Sequence, residues 1–152
     1  MRITIAAVGR LRDPESRALF DSYAGRILWP MNVREVELKR SLPPEEAKAE
    51  EARLLLGAIG ESACVVALDE HGRDWTSAAL AERLGHWRDE GVGEIAFAIG
   101  GADGLGGAVL GRAQATVAFG RMTWPHRLAR IMLAEQIYRA QQILAGHPYH
   151  RG

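Results

Sequence analysis

Cysteine is almost missing from this chain: Cys64 is the only one in 152 residues. It can close no disulfide within the chain, and a cysteine zinc site is excluded. His147 and His150 lie close in sequence but have no carboxylates nearby, so no metal site is expected. Charge of one sign is also missing, since 19 Lys and Arg balance 19 Asp and Glu. No global field therefore advertises nucleic acid. No apolar stretch approaches the ~20 residues of a membrane-spanning helix. The start, Met-Arg-Ile-Thr-Ile-Ala-Ala-Val-Gly-Arg, is too short in apolar residues for a signal peptide and lacks a small-residue cleavage pattern. The expectation is a soluble, cytoplasmic protein, with neither membrane nor DNA as a partner. Two nucleotide motifs are absent as well. The cluster Gly-Gly-Ala-Asp-Gly-Leu-Gly-Gly at 100–107 holds no G-x-G-x-x-G, and no lysine follows it for a phosphate-cradling loop. A dinucleotide dehydrogenase and an NTPase are both disfavoured, and the cluster reads either as a plain turn or as a ligand loop.

What is present fits one domain spanning 1–152. Hydrophobic residues make up 47% and charged residues 25%, ordinary globular values for a chain long enough to bury a core. Short β-branched or apolar runs predict strands at Ile3–Val8, Val33–Leu38, Ala63–Leu68, Glu94–Ile99 and Ala115–Phe119. Between them, helix starts at Asp13-Pro14-Glu15, Pro43-Pro44-Glu45 and Thr76-Ser77 predict helices toward Pro30, Ile59 and Gly91. A short helix is expected over Ala108–Ala113. Strands alternating with helices predict an α/β fold, a mainly parallel sheet flanked by helices. Ligands in such sheets collect beyond the strand C-termini, here the loops Leu68–Trp75, Gly100–Gly107 and Phe119–Trp124.

The last fifth of the chain is the most unusual part. From Arg112 onward there are six arginines and three histidines against one acid, Glu135, while Ala63–Gly111 holds eight acids and three arginines. Pro125 opens the longest helical pattern, which Gly146 ends. Leu133, Ile137, Ala140 and Leu144 form one apolar face; Leu128, Ile131, Ala134 and Tyr138 form a second. One face suits the chain's own sheet, and the second predicts a homodimer, with a helix buried on two sides within one chain as the alternative. Arg121, Arg127, Arg130 and Arg139 are candidate RNA-backbone contacts, with pairing to the acidic middle as the alternative. The chain then closes on His147-Pro148-Tyr149-His150-Arg151, far more chemistry than a frayed terminus needs.

Taken together, Ile-Gly-Gly-Ala-Asp-Gly-Leu at 99–105, Met-Thr-Trp-Pro-His-Arg-Leu-Ala-Arg at 122–130, Ala-Glu-Gln-Ile-Tyr-Arg-Ala at 134–140 and the His-Pro-Tyr-His-Arg tail resemble the RlmH family of SPOUT-class methyltransferases. The resemblance covers essentially the whole chain. It implies a SPOUT α/β knot, a deep trefoil knot at the C-terminus, and a dimer with the knots at its interface. It also implies S-adenosyl-L-methionine as methyl donor and N3 of a pseudouridine in 23S rRNA, within the assembled ribosome, as acceptor. Carried over by residue, donor binding falls to Leu68, Gly100 and the loop Phe119, Gly120, Arg121, Met122, Thr123 and Trp124. Many relatives carry serine in place of Gly120, and some carry Pro-Glu in place of Ala102-Asp103. Tyr149, His150 and Arg151 are expected over the donor pocket of the partner subunit as a stacking group, a base and an anion holder; His126 is a second candidate base. A SPOUT enzyme acting on tRNA, and a non-catalytic ribosome-binding factor, are the alternatives.

Overall fold

In a computed structural model that describes residues 1–150, His150 by its backbone alone, five parallel strands form one sheet in the order β2-β1-β4-β3-β5. The strands are β1 (Arg2–Val8), β2 (Met31–Val36), β3 (Cys64–Asp74), β4 (Glu94–Ile99) and β5 (Ala115–Ala118). The connecting helices are α1 (Pro14–Ala24), α2 (Pro44–Ala58), α3 (Ser77–Asp89) and α4 (Gly107–Arg112), followed by α5 (His126–Leu144) and a single turn at Pro148–His150. The core lies on both faces of the sheet. Ile3, Ile5, Val66, Ile95 and Phe97 face α1, α3 and α5, while Ala6, Val65, Ala67, Ala96 and Ala98 face α2 and α4. Parallel strands covered on both faces explain why these runs are apolar throughout rather than alternating.

The start signals act as expected. Asp13 accepts from the Ser16 N–H at 3.0 Å, and Thr76 accepts from the Ala79 N–H at the same distance. Three elements differ from their expected bounds by more than a residue. Helix α1 stops at Ala24 instead of running toward Pro30, because the Leu28 N–H is taken by Gln141 Oε1 at 2.6 Å and its segment is tied to α5. Strand β2 begins two residues earlier than the pattern suggests, since its register is set by β1, with Ile3 opposite Met31 and Val8 opposite Val36. The third difference matters for the site. The polar stretch after Leu68 is not a plain turn: Asp69–Gly72 bulge out of the ladder, and Arg73 and Asp74 rejoin β5 opposite Val117 and Ala118. Gly72 makes the return possible, since a Cβ there would lie 2.6 Å from the backbone of Val117.

Helix α5 packs between α1 and α3. This corrects the two-face argument. Ile131 and Ala134, assigned to a face awaiting a partner subunit, are 6% and 0% exposed inside the single chain. Of that face Leu128 stays exposed, and Tyr138 is covered in part by the C-terminal turn.

Candidate methyl-donor site

The C-terminal ends of β3, β4 and β5 open onto one cavity of about 810 Å³. This is the place an open parallel sheet reserves for ligands, and the volume lies within the range of small-molecule sites. Its floor is Ile99–Leu105; its walls are Leu68–His71 and Val117–Gly120; its lid is Met122–Ala129, with Lys48 of α2 at one side. Gly100 is packed so closely that a Cβ would sit 2.6 Å from the backbone of Gly104. Its lack of a side chain brings main chain to the cavity surface, where peptide groups are available to a ligand.

The lid is held by its own hydrogen bonds. Trp124 Nε1–H donates to the Phe119 carbonyl at 2.8 Å, closing the loop on itself, and the Thr123 hydroxyl donates to Glu70 at 2.9 Å. Gly120 turns the loop with φ of +84°, a conformation that strains any residue with a side chain. Glycine at this position is therefore matched to the local backbone. Met122 and Trp124 remain 75% and 42% exposed, apolar area with no cover within the chain.

Seven of the eight residues expected to bind the donor line this cavity: Leu68, Gly100, Phe119, Gly120, Met122, Thr123 and Trp124. Arg121 does not; it is exposed at the outside of the loop. His126, at the first position of α5, lines the cavity too. Its surroundings, burial first and then the positive charges of Arg130 and Arg127, hold its pKa below the ordinary 6.5. The imidazole is therefore neutral at pH 7, with a lone pair free for a proton. Lys48 escaped the sequence reading because α2 shows only a charged helical face, with nothing to reveal which loop that face abuts.

Tyr149 is elsewhere. Tyr149 stacks edge-on against Tyr138 with ring centroids 4.7 Å apart, lies under the Arg139 guanidinium at 5.0 Å, and donates its hydroxyl hydrogen to Glu135 at 3.2 Å. Burial and the Glu135 charge push its pKa above the ordinary 10. None of these partners lines the donor cavity. The side chain of His150, and Arg151 altogether, lie outside the described residues.

The expected split of the C-terminal arginines is also redrawn. Arg130 is 3% exposed, bonded to Glu35 at 2.6 Å and to the Gly9 carbonyl at 2.9 Å, so it cannot touch RNA. Arg127 pairs with Asp13 at 3.3 Å and Arg139 with Glu135 at 2.7 Å. These partners belong to the N-terminal half and to α5 itself, not to the acidic middle. Of the four candidates, Arg121 alone makes no ion pair among the described residues.

The cavity lies over three strand ends, with residues 122–129 of the C-terminal segment folded across it. The family model described as "Predicted SPOUT methyltransferase" matches residues 1–150, and the chain belongs to that family. Members of this class carry a deep trefoil knot, which the assignment implies here. The fold agrees with that of a probable methylase family protein from Haemophilus influenzae, at a TM-score of 0.58 and 11% identity, over 99% of this chain and 70% of that one. More particular is the likeness to the ribosomal RNA large subunit methyltransferase H of Rhodospirillum centenum, 58% identical over 151 residues, covering 99% of each chain. The proteins of the same name from Paramagnetospirillum magneticum and Nitrobacter hamburgensis are 54% and 46% identical over 99% and 100% of each chain.

Proposed function

We propose that this chain is a cytoplasmic S-adenosyl-L-methionine-dependent methyltransferase that acts on N3 of a pseudouridine in large-subunit rRNA, within the assembled ribosome. The observation that carries the reading is the cavity at the ends of β3, β4 and β5, walled by apolar side chains and floored by bare glycine backbone. The residues suit the donor. Leu68, Leu105, Met122 and Trp124 offer apolar surface to a nucleoside, and the main chain at 100–104 and 117–120 offers N–H and C=O groups to its polar edges. When bound, the donor supplies a sulfonium-activated methyl group for in-line displacement by a nitrogen. The chain's task is then mainly to hold the acceptor in line and to ease the loss of its proton. Neutral His126 stands at the cavity and is one acceptor for the N3 proton. Tyr149, His150 and Arg151 are assigned to the acceptor side, over the cavity of a second subunit.

The homodimer this requires is supported by apolar surface left open in one chain. A second cavity of about 510 Å³ lies on the other side of Val117–Gly120, lined by Leu19, which is 48% exposed, and by the partly exposed Tyr23, Trp75 and Met132. Zero net charge gives one small domain little hold on free RNA, which supports an assembled ribosome as substrate. The test is labelled methyl donor offered with 50S particles, 70S ribosomes and tRNA, with the pseudouridines present or absent. Label should enter ribosomal particles only when pseudouridine is present. Label in tRNA would favour another SPOUT activity, and donor binding without transfer to any RNA would favour a non-catalytic ribosome-binding factor.

A further inference from the structure

Helix α2 presses against the glycine loop more closely than its charged sequence suggests. A Cβ on Gly106 would lie 2.8 Å from the Lys48 carbonyl oxygen and 2.9 Å from the Ala52 Cβ. A Cβ on Gly101 would lie 2.9 Å from Glu51 Oε2 and 3.1 Å from Val8 Cγ1. Between these two contacts the Glu51 carboxyl is wedged behind the floor of the donor cavity. Glu51 Oε2 is also one of two buried side-chain polar atoms without a hydrogen-bond partner among the described residues, the other being Arg130 Nε. A buried polar atom left in this state calls for a reason. The Gly101 N–H interacts with the carboxyl and favours its ionised form, yet Oε2 has no full hydrogen bond.

We propose that Glu51 is a positioning residue for methyl transfer, its carboxyl receiving the Gly101 N–H and fixing the loop Gly100–Gly104 in the shape that accepts the donor. The inference rests on the donor reading of that cavity. Glu51 does not line the cavity and touches no reacting atom; it acts through the backbone of Gly101. Burial and the nearby charge of Asp103 raise its pKa, in keeping with the buried Oε2 behind the loop. An acceptor at this place supports the main chain next to Gly100, where packing against Gly104 excludes a side chain.

Two substitutions and one measurement on the unsubstituted chain test this. Glu51→Gln keeps a carbonyl acceptor, whereas Glu51→Met keeps the bulk and removes it. By calorimetry, Glu51→Met should weaken S-adenosylmethionine binding about tenfold, and Glu51→Gln should stay within about threefold of the unsubstituted chain. Turnover at saturating donor should stay within about twofold in both, so that KM for the donor moves and kcat does not. A general folding defect would not produce that split or its rescue by glutamine. Hydrogen exchange at the Gly101 amide supplies a readout independent of any ligand: it should be protected in the unsubstituted chain and about tenfold faster in Glu51→Met. Unprotected exchange at Gly101 in the unsubstituted chain, or equal donor affinity in the Met and Gln variants, overturns the proposal. If the unsubstituted chain takes up no S-adenosylmethionine, the donor reading falls, while the exchange comparison still decides whether Glu51 holds the loop.

Discussion

Arg130 shows how far a residue's surroundings can depart from its type. An arginine in a basic helix reads as a surface cation, but here its guanidinium is buried between Glu35 and the Gly9 carbonyl, and ties α5 to the C-terminal end of β1. Removing one partner of such a pair leaves the other without compensation. Because Glu35 keeps the Leu11 N–H and is 26% exposed, Arg130→Ala should cost about 3 kcal/mol, at the low end for broken buried pairs, read by urea unfolding. Glu35 and Glu94 also set a pH dependence. Burial raises the pKa of each, but this is outweighed: by the Leu11 N–H and Arg130 at Glu35, and by Thr4 and Arg2 at Glu94, so both lie below the ordinary 4.5. A carboxyl with a depressed folded pKa binds fewer protons folded than unfolded, so its stabilisation is present above the unfolded value. The contribution of these two carboxyls to the free energy of unfolding should hold steady above about pH 5 and fall as acid is added through the folded values. A Thr4→Val variant should show a shallower fall, since the hydroxyl that donates to Glu94 at 2.6 Å is gone.

At the scale of elements, the interrupted pairing of β3 with β5 shapes the cavity wall. The bulge at Asp69–Gly72 brings Glu70 to Thr123 and leaves Arg73 and Asp74 to rejoin the ladder. Gly72→Ala would drive a methyl group into the Val117 backbone, and backbone gives way less readily than a side chain. We expect a loss of at least about 2 kcal/mol in stability, with donor affinity falling as well because Leu68 and Val117 belong to both the ladder and the cavity. Thermal unfolding with and without donor separates the two effects. Sequence patterns located β3 as far as Leu68 but lost it afterwards, because a bulge carries no periodicity. The final helix was legible as an element and its faces were not: two apolar stripes describe a helix inserted between α1 and α3 as well as one covered by a second subunit.

On the scale of the whole molecule, Tyr149 and the candidate donor cavity stay apart within one chain. Tyr149 is docked on Glu135, Tyr138 and Arg139, none of which faces the cavity. If the tail serves the cavity of a second subunit, deleting residues 147–152 should leave donor binding within about twofold by calorimetry and abolish methyl transfer. Mixing that truncated chain with one whose donor loop is blocked by Gly100→Arg should restore activity, because a mixed dimer holds one intact cavity facing one intact tail. Random pairing sets the recovery at about a quarter of the full rate. Light scattering at micromolar concentration should report a dimer; a monomer would remove the two-subunit site.

Composition, strand and helix order, the start signals and the rare residues from Met122 to Arg151 were sufficient to reach the α/β class, the SPOUT resemblance and several residues that line the cavity. These are local properties, and residues adjacent in the chain declare them together. The contacts across the fold depended on tertiary structure: that Arg130 is buried, that Asp69–Gly72 bulge, that α5 is covered on both sides, and that Glu51 of α2 stands behind Gly101. Each joins residues far apart in sequence through packing and desolvation. Those forces act between surfaces that exist only once the sheet has brought α2, the glycine loop and the C-terminal segment together.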